Sequence, residues 1–400
     1  MALPRAGRRR GAARRRPRIG LALAGGGPVG AVYEIAALCA LQDALDGIDF
    51  AHLDIYVGVS SGAFIASMLA NGFAPAELRE ILIETASAEH AIDPDVFLSP
   101  AMGELASRAA SLPRLALETV WQRLRDPLGG RNEALARAGR VLPTGVFDNQ
   151  RLARFLARAF RGGGRSNDFR RLGPDLRLVA TDLDSSEAVE FGAPGRDKVP
   201  ISRAVQASAA LPVLYPPVRI GGRDYVDGAL RKTLHASIAL REGARLVFCI
   251  NPIVPFDARL AARRGHPRRG KLADAGLPVV LSQAFRALIH SRMQVGMASY
   301  RTQYKGADVL LFEPRRDDPE MFFTNVFAYS TRHRVFEHAY RSTLRDLAAR
   351  RRALAPRLAR HGISIRASVL RRLAAPRPGA RPLSTLGGTL DRLERWMEAR

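Results

Sequence analysis

Four hundred residues with 47% hydrophobic content suffice for a large buried core in one or two domains. The net charge of +24 sits mostly at the ends: residues 1–18 carry eight Arg and no acid, and residues 341–400 carry fifteen Arg against four acids, which leaves +5 between them. A disulfide-built scaffold is excluded, since Cys39 and Cys249 are the only cysteines and both lie in apolar runs; no uncharged apolar run reaches the length of a membrane-spanning helix.

In chain order, residues 19–24 read as a strand and residues 28–46 as a helix, with Val32, Ile35, Leu38, Leu41 and Leu45 on one face. The Arg cluster before this strand imitates a signal peptide, but the apolar residues run straight into a glycine turn and so read as core. Residues 53–58 form the next strand, 61–71 a helix, and Pro75 opens another over 75–89. Residues 90–146 read as helical pieces broken by Pro and Gly, a cap-like insertion. Asp148 is positioned to cap an amphipathic helix over 149–160, whose apolar face carries Leu152, Phe155, Leu156 and Phe160.

Strands follow at 176–183 and 188–192, then a helix at 201–210. Residues 219–230 read as a hairpin turning at Gly221–Gly222. Residues 245–250 are a buried strand, 278–304 a long helix with Met293, Val295 and Met297 along it, and 307–314 a last strand. The apolar residues of that long helix and of the insertion read mainly as core, with an acyl channel as a second role. Beyond residue 340 come arginine-rich helical segments broken at Pro356, Pro376 and Pro378. This alternation of strands and helices predicts a three-layer α/β/α fold with a mostly parallel central sheet and a helical insertion.

The chemistry concentrates in two strand-to-helix turns one βαβ unit apart. The first, Gly25-Gly26-Gly27, exposes a row of backbone N–H groups suited to an oxyanion. The second, Gly58-Val59-Ser60-Ser61-Gly62, fits the G-x-S-x-G pattern, in which flanking glycines permit a sharp turn and the serine hydroxyl points out at a helix N-terminus. A serine nucleophile needs a proton acceptor. Asp227, in Tyr225-Val226-Asp227-Gly228, ends an apolar strand at a loop; a partly dry cleft would raise its pKa above its ordinary value of about 4 and improve it as a base.

The segments GGGPVG (25–30), GVSSGA (58–63), ATDLDSSEAVEFG (180–192), AVQASAALPVLYPPV (204–218) and YVDGAL (225–230) occur in an order that resembles the patatin-like phospholipases, and the resemblance spans about residues 19–314. That resemblance implies a serine lipid acyl hydrolase with a Ser–Asp dyad and no histidine: Ser60 as nucleophile, Asp227 as base, and the N–H groups of Gly25, Gly26 and Gly27 as the oxyanion hole. The amide of Ser61 is a further donor by analogy with other elbows. Three positions depart from the family pattern: Ala24 where Asp is frequent, Val29 where a basic residue is usual, and Ala229 where many members have a second Gly.

Other readings compete. Gly25, Gly27 and Gly30 also satisfy G-x-G-x-x-G, but the second strand ends without the acid that would hold a ribose. A Ser–His–Asp enzyme would draw its histidine from His235, His290, His333 or His338. A non-catalytic adaptor on a membrane or nucleic-acid surface would keep the fold and use only the charged arms. No CxxC or HExxH pattern calls for a metal, and no cofactor is expected. Nucleic acid is disfavoured as a partner, because no aromatic residue interleaves with the N-terminal arginines.

The chain is therefore expected to divide into a disordered basic arm (1–18), a catalytic domain (19–345) containing the insertion (90–146), and an arginine-rich helical tail (346–400). The expected substrate is a fatty-acyl ester of a phospholipid or lysophospholipid. The expected location is cytoplasmic, peripheral on the anionic inner face of a membrane.

Overall fold

The computed structural model describes residues 16–84, 144–265, 271–323 and 331–374. The basic arm up to residue 15, the expected insertion up to residue 143 and the chain from residue 375 lie outside the described residues. The chain opens with β1 (Arg18–Leu23), α1 (Gly27–Ala44) and the short β2 (Leu45–Asp46). Next come β3 (Ile55–Val59), α2 (Ser61–Ala70) and α3 (Pro75–Arg79), which widens into a π-helical turn at Glu80–Glu84. The middle of the chain supplies α4 (Gln150–Ala159), β4 (Asp175–Asp182), β5 (Ala188–Phe191), α5 (Ile201–Ser208), β6 (Val218–Ile220), β7 (Arg223–Asp227), α6 (Ala236–Arg241) and β8 (Ala244–Ile250). The rest is α7 (Ala258–Arg263), α8 (Leu277–Gln303), β9 (Asp308–Phe312), α9 (Pro319–Phe323), α10 (Arg332–Ala349), α11 (Arg351–Ala359), β10 (Ser364–Ile365) and α12 (Ala367–Ala374).

Eight strands form one sheet in the order β6-β7-β4-β3-β1-β8-β9, with β5 also paired to β4. The run β4-β3-β1-β8-β9 is parallel, and β5, β6 and β7 join it antiparallel. A parallel strand covered on both faces reads as an unbroken apolar run, which is why Ile19–Leu23 and Ile55–Val59 were legible. Side chains alternate across the sheet. Leu21 and Leu23 face a core with α1, α2 and α10, whereas Ala22 and Ala24 face a second core with α6 and α8. Helices therefore lie on both sides of a mostly parallel sheet, the expected three layers.

Three local expectations change. The helix over 149–160 starts at Gln150 with Asn149, not Asp148, at its cap position; the Asn149 side chain bonds Gln206 instead of capping, and Asp148 accepts the Gln150 N–H at 2.8 Å. Only one stripe of α8 (Ile289, Met293 and Tyr300) reaches the core, while Leu277, Leu281, Leu288 and Val295 are exposed. Pro356 lies inside α11, and the helix break falls at Arg350 instead. One proline forfeits one backbone bond, and the burial of Leu354 and Leu358 on either side holds the helix together.

Around residue 346, where composition begins the arginine-rich tail, α10 continues without interruption. Leu344, Leu347, Leu354, Leu358 and Ile363 share the core that contains α1. Several arginines of this stretch are committed internally: Arg357, Arg360 and His361 converge on Asp308, at 2.9, 2.8 and 3.0 Å, and Arg366 pairs with Asp46. Burial pushes the Asp308 carboxyl upward, but the hydrogen bonds from Arg357 and His361 and the charges of Arg357 and Arg360 outweigh it and hold the group below its ordinary range. Among the described residues no helix is long and apolar enough to cross a membrane.

Candidate active site

Strand register brings the two sequence-distant turns together. Leu23 of β1 lies opposite Gly58 of β3, Val59 opposite Val179 of β4, and Ala180 opposite Asp227 of β7. Ser60 follows Val59 by one residue, just as Ala180 follows Val179. Ser60 and Asp227 therefore reach the same level of the sheet, at the carboxyl ends of β1 and β3, where open α/β sheets carry their ligands.

Ser60 occupies a turn that only this glycine spacing permits. Its φ of 54° lies in the left-handed region, a strained conformation for a residue with a side chain. A Cβ on Gly58 would sit 2.4 Å from the Gly62 carbonyl oxygen, and one on Gly62 would sit 2.6 Å from the Leu23 backbone. The two glycines thus let β3 fold back on α2 and let α2 press against β1. The Ser60 carbonyl accepts the N–H groups of Ala63 and Phe64, so its backbone opens α2 while its hydroxyl makes no capping bond and stays available. The Ser60 N–H is held by the hydroxyl of Ser208 at 2.9 Å.

Asp227 is almost fully buried at the end of β7. Its N–H donates to the Ala210 carbonyl, and its Oδ1 accepts the Ala229 N–H at 2.8 Å. Gly228 permits the turn, since a Cβ there would lie 2.3 Å from the Val179 carbonyl oxygen. Burial pushes the Asp227 carboxyl up to about 6, against the hydrogen bonds from the Ser60 hydroxyl and the Ala229 N–H, which favour the anion. A carboxylate in this range accepts protons near neutral pH far better than an exposed one.

The glycine loop closes the third side. Ala24 still donates to Ile250 in the manner of a strand, but among the described residues no backbone carbonyl takes the N–H of Gly25, Gly26 or Gly27. Gly27 has φ +63° and opens α1, with Pro28 in its first turn, where no N–H is required. A Cβ on Gly25 would lie 3.0 Å from that of Ser60, and one on Gly26 would strike Pro252 at 2.4 Å. The open N-termini of α1 and α2 both favour negative charge here.

These groups share one cavity of about 260 Å³. Six of the eight residues singled out in the sequence line it: Gly25, Gly26, Gly27, Ser60, Ser61 and Asp227; Gly58 and Gly62 lie behind the turn. The wall also contains residues that sequence reasoning missed, among them Asn149, Tyr215, Ser282, Phe285 and Arg286. Ser282, Phe285 and Arg286 follow i, i+3, i+4 spacing, a helical-face signal that was present but has no motif to mark it. No described histidine lines the cavity. His235 is buried elsewhere and held neutral, its pKa pushed down to about 3 by burial, and His338 pairs with Asp318 at 2.6 Å. Among the described residues no group of three or more His, Cys, Asp or Glu is arranged for a metal ion.

A sequence model of the patatin-like phospholipases matches residues 21–240, more than half of the chain. The chain belongs to the patatin-like phospholipase family. This patatin-like chain is 26% identical over 223 residues to uncharacterized protein R571 of Acanthamoeba polyphaga mimivirus, a match that covers 55% of the chain and 60% of the viral protein's length. Among solved structures, it is similar to VipD from Legionella pneumophila, with a TM-score of 0.37, 16% identity and coverage of 84% of this chain and 67% of that one. The type III effector ExoU gives a TM-score of 0.34 at 13% identity, covering 82% of this chain and 52% of that one.

Proposed function

We propose that this patatin-like protein is a serine acyl hydrolase that cleaves fatty-acyl esters of phospholipids or lysophospholipids. The observation that carries the reading is that Ser60 and the buried Asp227, whose carboxyl is pushed upward by burial, line one cavity edged by the free N–H groups of the glycine loop. Asp227 takes the hydroxyl proton as Ser60 Oγ attacks the ester carbonyl. The N–H groups of Gly25, Gly26, Gly27 and Ser61 receive the developing oxyanion, where one donor contributes about 3–4 kcal/mol to lowering the barrier. The tetrahedral intermediate collapses, the proton held by Asp227 passes to the leaving alcohol, and an acyl ester remains on Ser60. Water, deprotonated by the same carboxylate, releases the fatty acid and restores the hydroxyl. The apolar wall formed by Phe64, Leu152, Leu211 and Leu214 suits an acyl chain.

A fluorophosphonate probe tests this reading. The label should be located on Ser60 by mass spectrometry, and Ser60→Ala and Asp227→Asn should each lose at least about a thousandfold in kcat/KM with folding intact. A label on another serine, or turnover retained in Ser60→Ala, rejects it.

We further propose that the enzyme works peripherally, on an anionic cytoplasmic bilayer face. Support comes from exposed Arg351 and Arg352, from the eight N-terminal arginines and from the excess of +11 over residues 341–400. Binding to phosphatidylglycerol vesicles should weaken as salt rises. Retained binding in a variant with Arg351, Arg352 and the N-terminal arginines changed to Gln rejects this assignment.

A further inference from the structure

The cavity that contains Ser60 has only two charged side chains in its wall among the described residues, Asp227 and Arg286. The glycine loop, Gly25-Gly26-Gly27-Pro28-Val29-Gly30, brings no cation of its own. Arg286 enters from the N-terminal half of α8, beside Ser282 and Phe285. Its Nε donates to Ser282 Oγ at 3.4 Å and its Nη1 to the Val254 carbonyl at 3.3 Å, two long bonds to neutral acceptors. Its guanidinium lies 5.2 Å from the centroid of the Phe322 ring. By contrast, the buried Arg177 meets Glu242, and the partly buried Arg357 meets Asp308. Arg286 has no carboxylate partner among the described residues.

A largely desolvated guanidinium with neutral partners alone is undercompensated and favours an incoming anion. Burial accordingly lowers its pKa, with no neighbouring charge to oppose the shift. The guanidinium is held by Ser282, Val254 and the Phe322 ring, and not by Ser60 or Asp227. The fatty carboxylate product forms at Ser60. An anion that meets Arg286 must therefore belong to the alcohol portion of the ester.

We propose that Arg286 is the headgroup anchor of this cavity and receives the phosphodiester of a glycerophospholipid or lysophospholipid whose acyl ester lies against Ser60. The assignment rests on the acyl-hydrolase reading of the same cavity. It makes Arg286 a specificity-determining residue: the phosphate, a few bonds from the ester on the glycerol backbone, selects charged lipids over neutral glycerides and orients the carbonyl toward the glycine loop. Ser282, already bonded to the guanidinium, is placed to share the same oxygens.

The test compares monomeric lysophosphatidylcholine with a monoacylglycerol of the same acyl chain, using wild type, Arg286→Lys, Arg286→Gln and Arg286→Met. The ratio of kcat/KM for the phospholipid over the glyceride should fall about ten- to a hundredfold in the Gln and Met variants, mainly through KM, and less in the Lys variant. Equal losses on both substrates in all three variants would assign Arg286 to packing and overturn the proposal. A measurement without turnover guards against a variant that folds poorly. In the Ser60→Ala background, titration calorimetry with dodecylphosphocholine should show at least tenfold weaker binding once Arg286→Gln is added, and equal binding overturns the proposal. Inorganic phosphate that binds as tightly as dodecylphosphocholine would make this a free-anion site and overturn the headgroup assignment. Absence of fluorophosphonate labelling at Ser60 would sink the hydrolase reading by itself, while the calorimetry still reports on Arg286.

Discussion

The hydroxyl of Ser208 accepts the main-chain N–H of Ser60 at 2.9 Å and donates its own proton to the Val179 carbonyl at 2.6 Å. One side chain from α5 thereby ties the strained turn to the edge of β4. Ser208→Ala leaves a buried N–H without an acceptor, which costs about 1–3 kcal/mol. The strained φ of Ser60 then loses its restraint. A lower melting temperature together with a lower kcat is expected, read by circular dichroism and by hydrolysis of a soluble ester. A fall in stability with kcat unchanged would mean that Ser208 supports the fold without positioning the hydroxyl.

The three loop glycines should differ sharply when changed to alanine. On Gly25 the new methyl group meets Ser60 Cβ at 3.0 Å and Ala229 Cβ at 3.2 Å, and both neighbours are held by hydrogen bonds. Gly25→Ala is expected to fold and to lose about ten- to a hundredfold in kcat, because small misplacements of reacting groups are costly. On Gly26 the methyl group meets Pro252 Cγ at 2.4 Å and Gly30 Cα at 2.8 Å, so this variant should be the least stable of the three. Gly27 has open space but φ +63°, and its alanine variant should cost about 1 kcal/mol with a smaller loss of activity. Thermal melts and kcat for the three variants check the order.

The rate should follow the ionisation of Asp227. In the proposed role of base, Asp227 acts only when deprotonated, and its carboxyl is pushed up to about 6 by burial. The value of kcat/KM should therefore rise with pH, reach half its plateau near 6, and lie about tenfold below the plateau one unit lower. A profile with its midpoint near 4 would show a solvated carboxylate, unlike the one described. The same profile measured in His235→Ala should keep its midpoint, since that imidazole lies outside the cavity.

Glu34 bears on stability. It sits in α1 with both carboxyl oxygens buried and without hydrogen bonds of good geometry, and its pKa is raised well above the ordinary value by burial, offset only in part by Ser61. The folded protein therefore keeps a proton that the unfolded chain releases above about pH 4.3. Stability falls as pH rises from there toward the folded pKa, by up to about 1.4 kcal/mol per unit. Glu34→Gln has no proton to lose. Its denaturant midpoint should match that of wild type near pH 4 and exceed it increasingly as pH rises above that. Parallel pH curves for the two proteins would refute the assignment.

Much of the site was legible because its parts are local. The Gly58–Gly62 spacing, the glycine loop and the Asp227-Gly228 turn each answer a steric demand of a single turn, and such demands are written in adjacent residues. The hairpin at Gly221–Gly222 was legible for the same reason, since both residues have positive φ, as tight two-residue turns require. What stayed hidden depends on distant partners. Arg286 becomes part of the cavity only when α8 docks beside it, and Ser208 becomes a support only through the register of β4 with β3. The inner role of α10 was obscured by its arginines, whose outward charge masks the buried face of Val335, Phe336, Ala339 and Leu347.

The sheet order also has a practical outcome. Residues 21–240 contain every side chain assigned to bond cleavage, yet β1, the strand that ends in the glycine loop, is flanked on one side by β8 at 244–250. A fragment cut at residue 240 would bare that entire flank of hydrogen-bonding groups, and would also uncover α1 where α10 now lies against it. Such an edge invites pairing with other copies. A minimal catalytic fragment should thus precipitate, however complete its chemistry, unless it extends through the helices that follow β9.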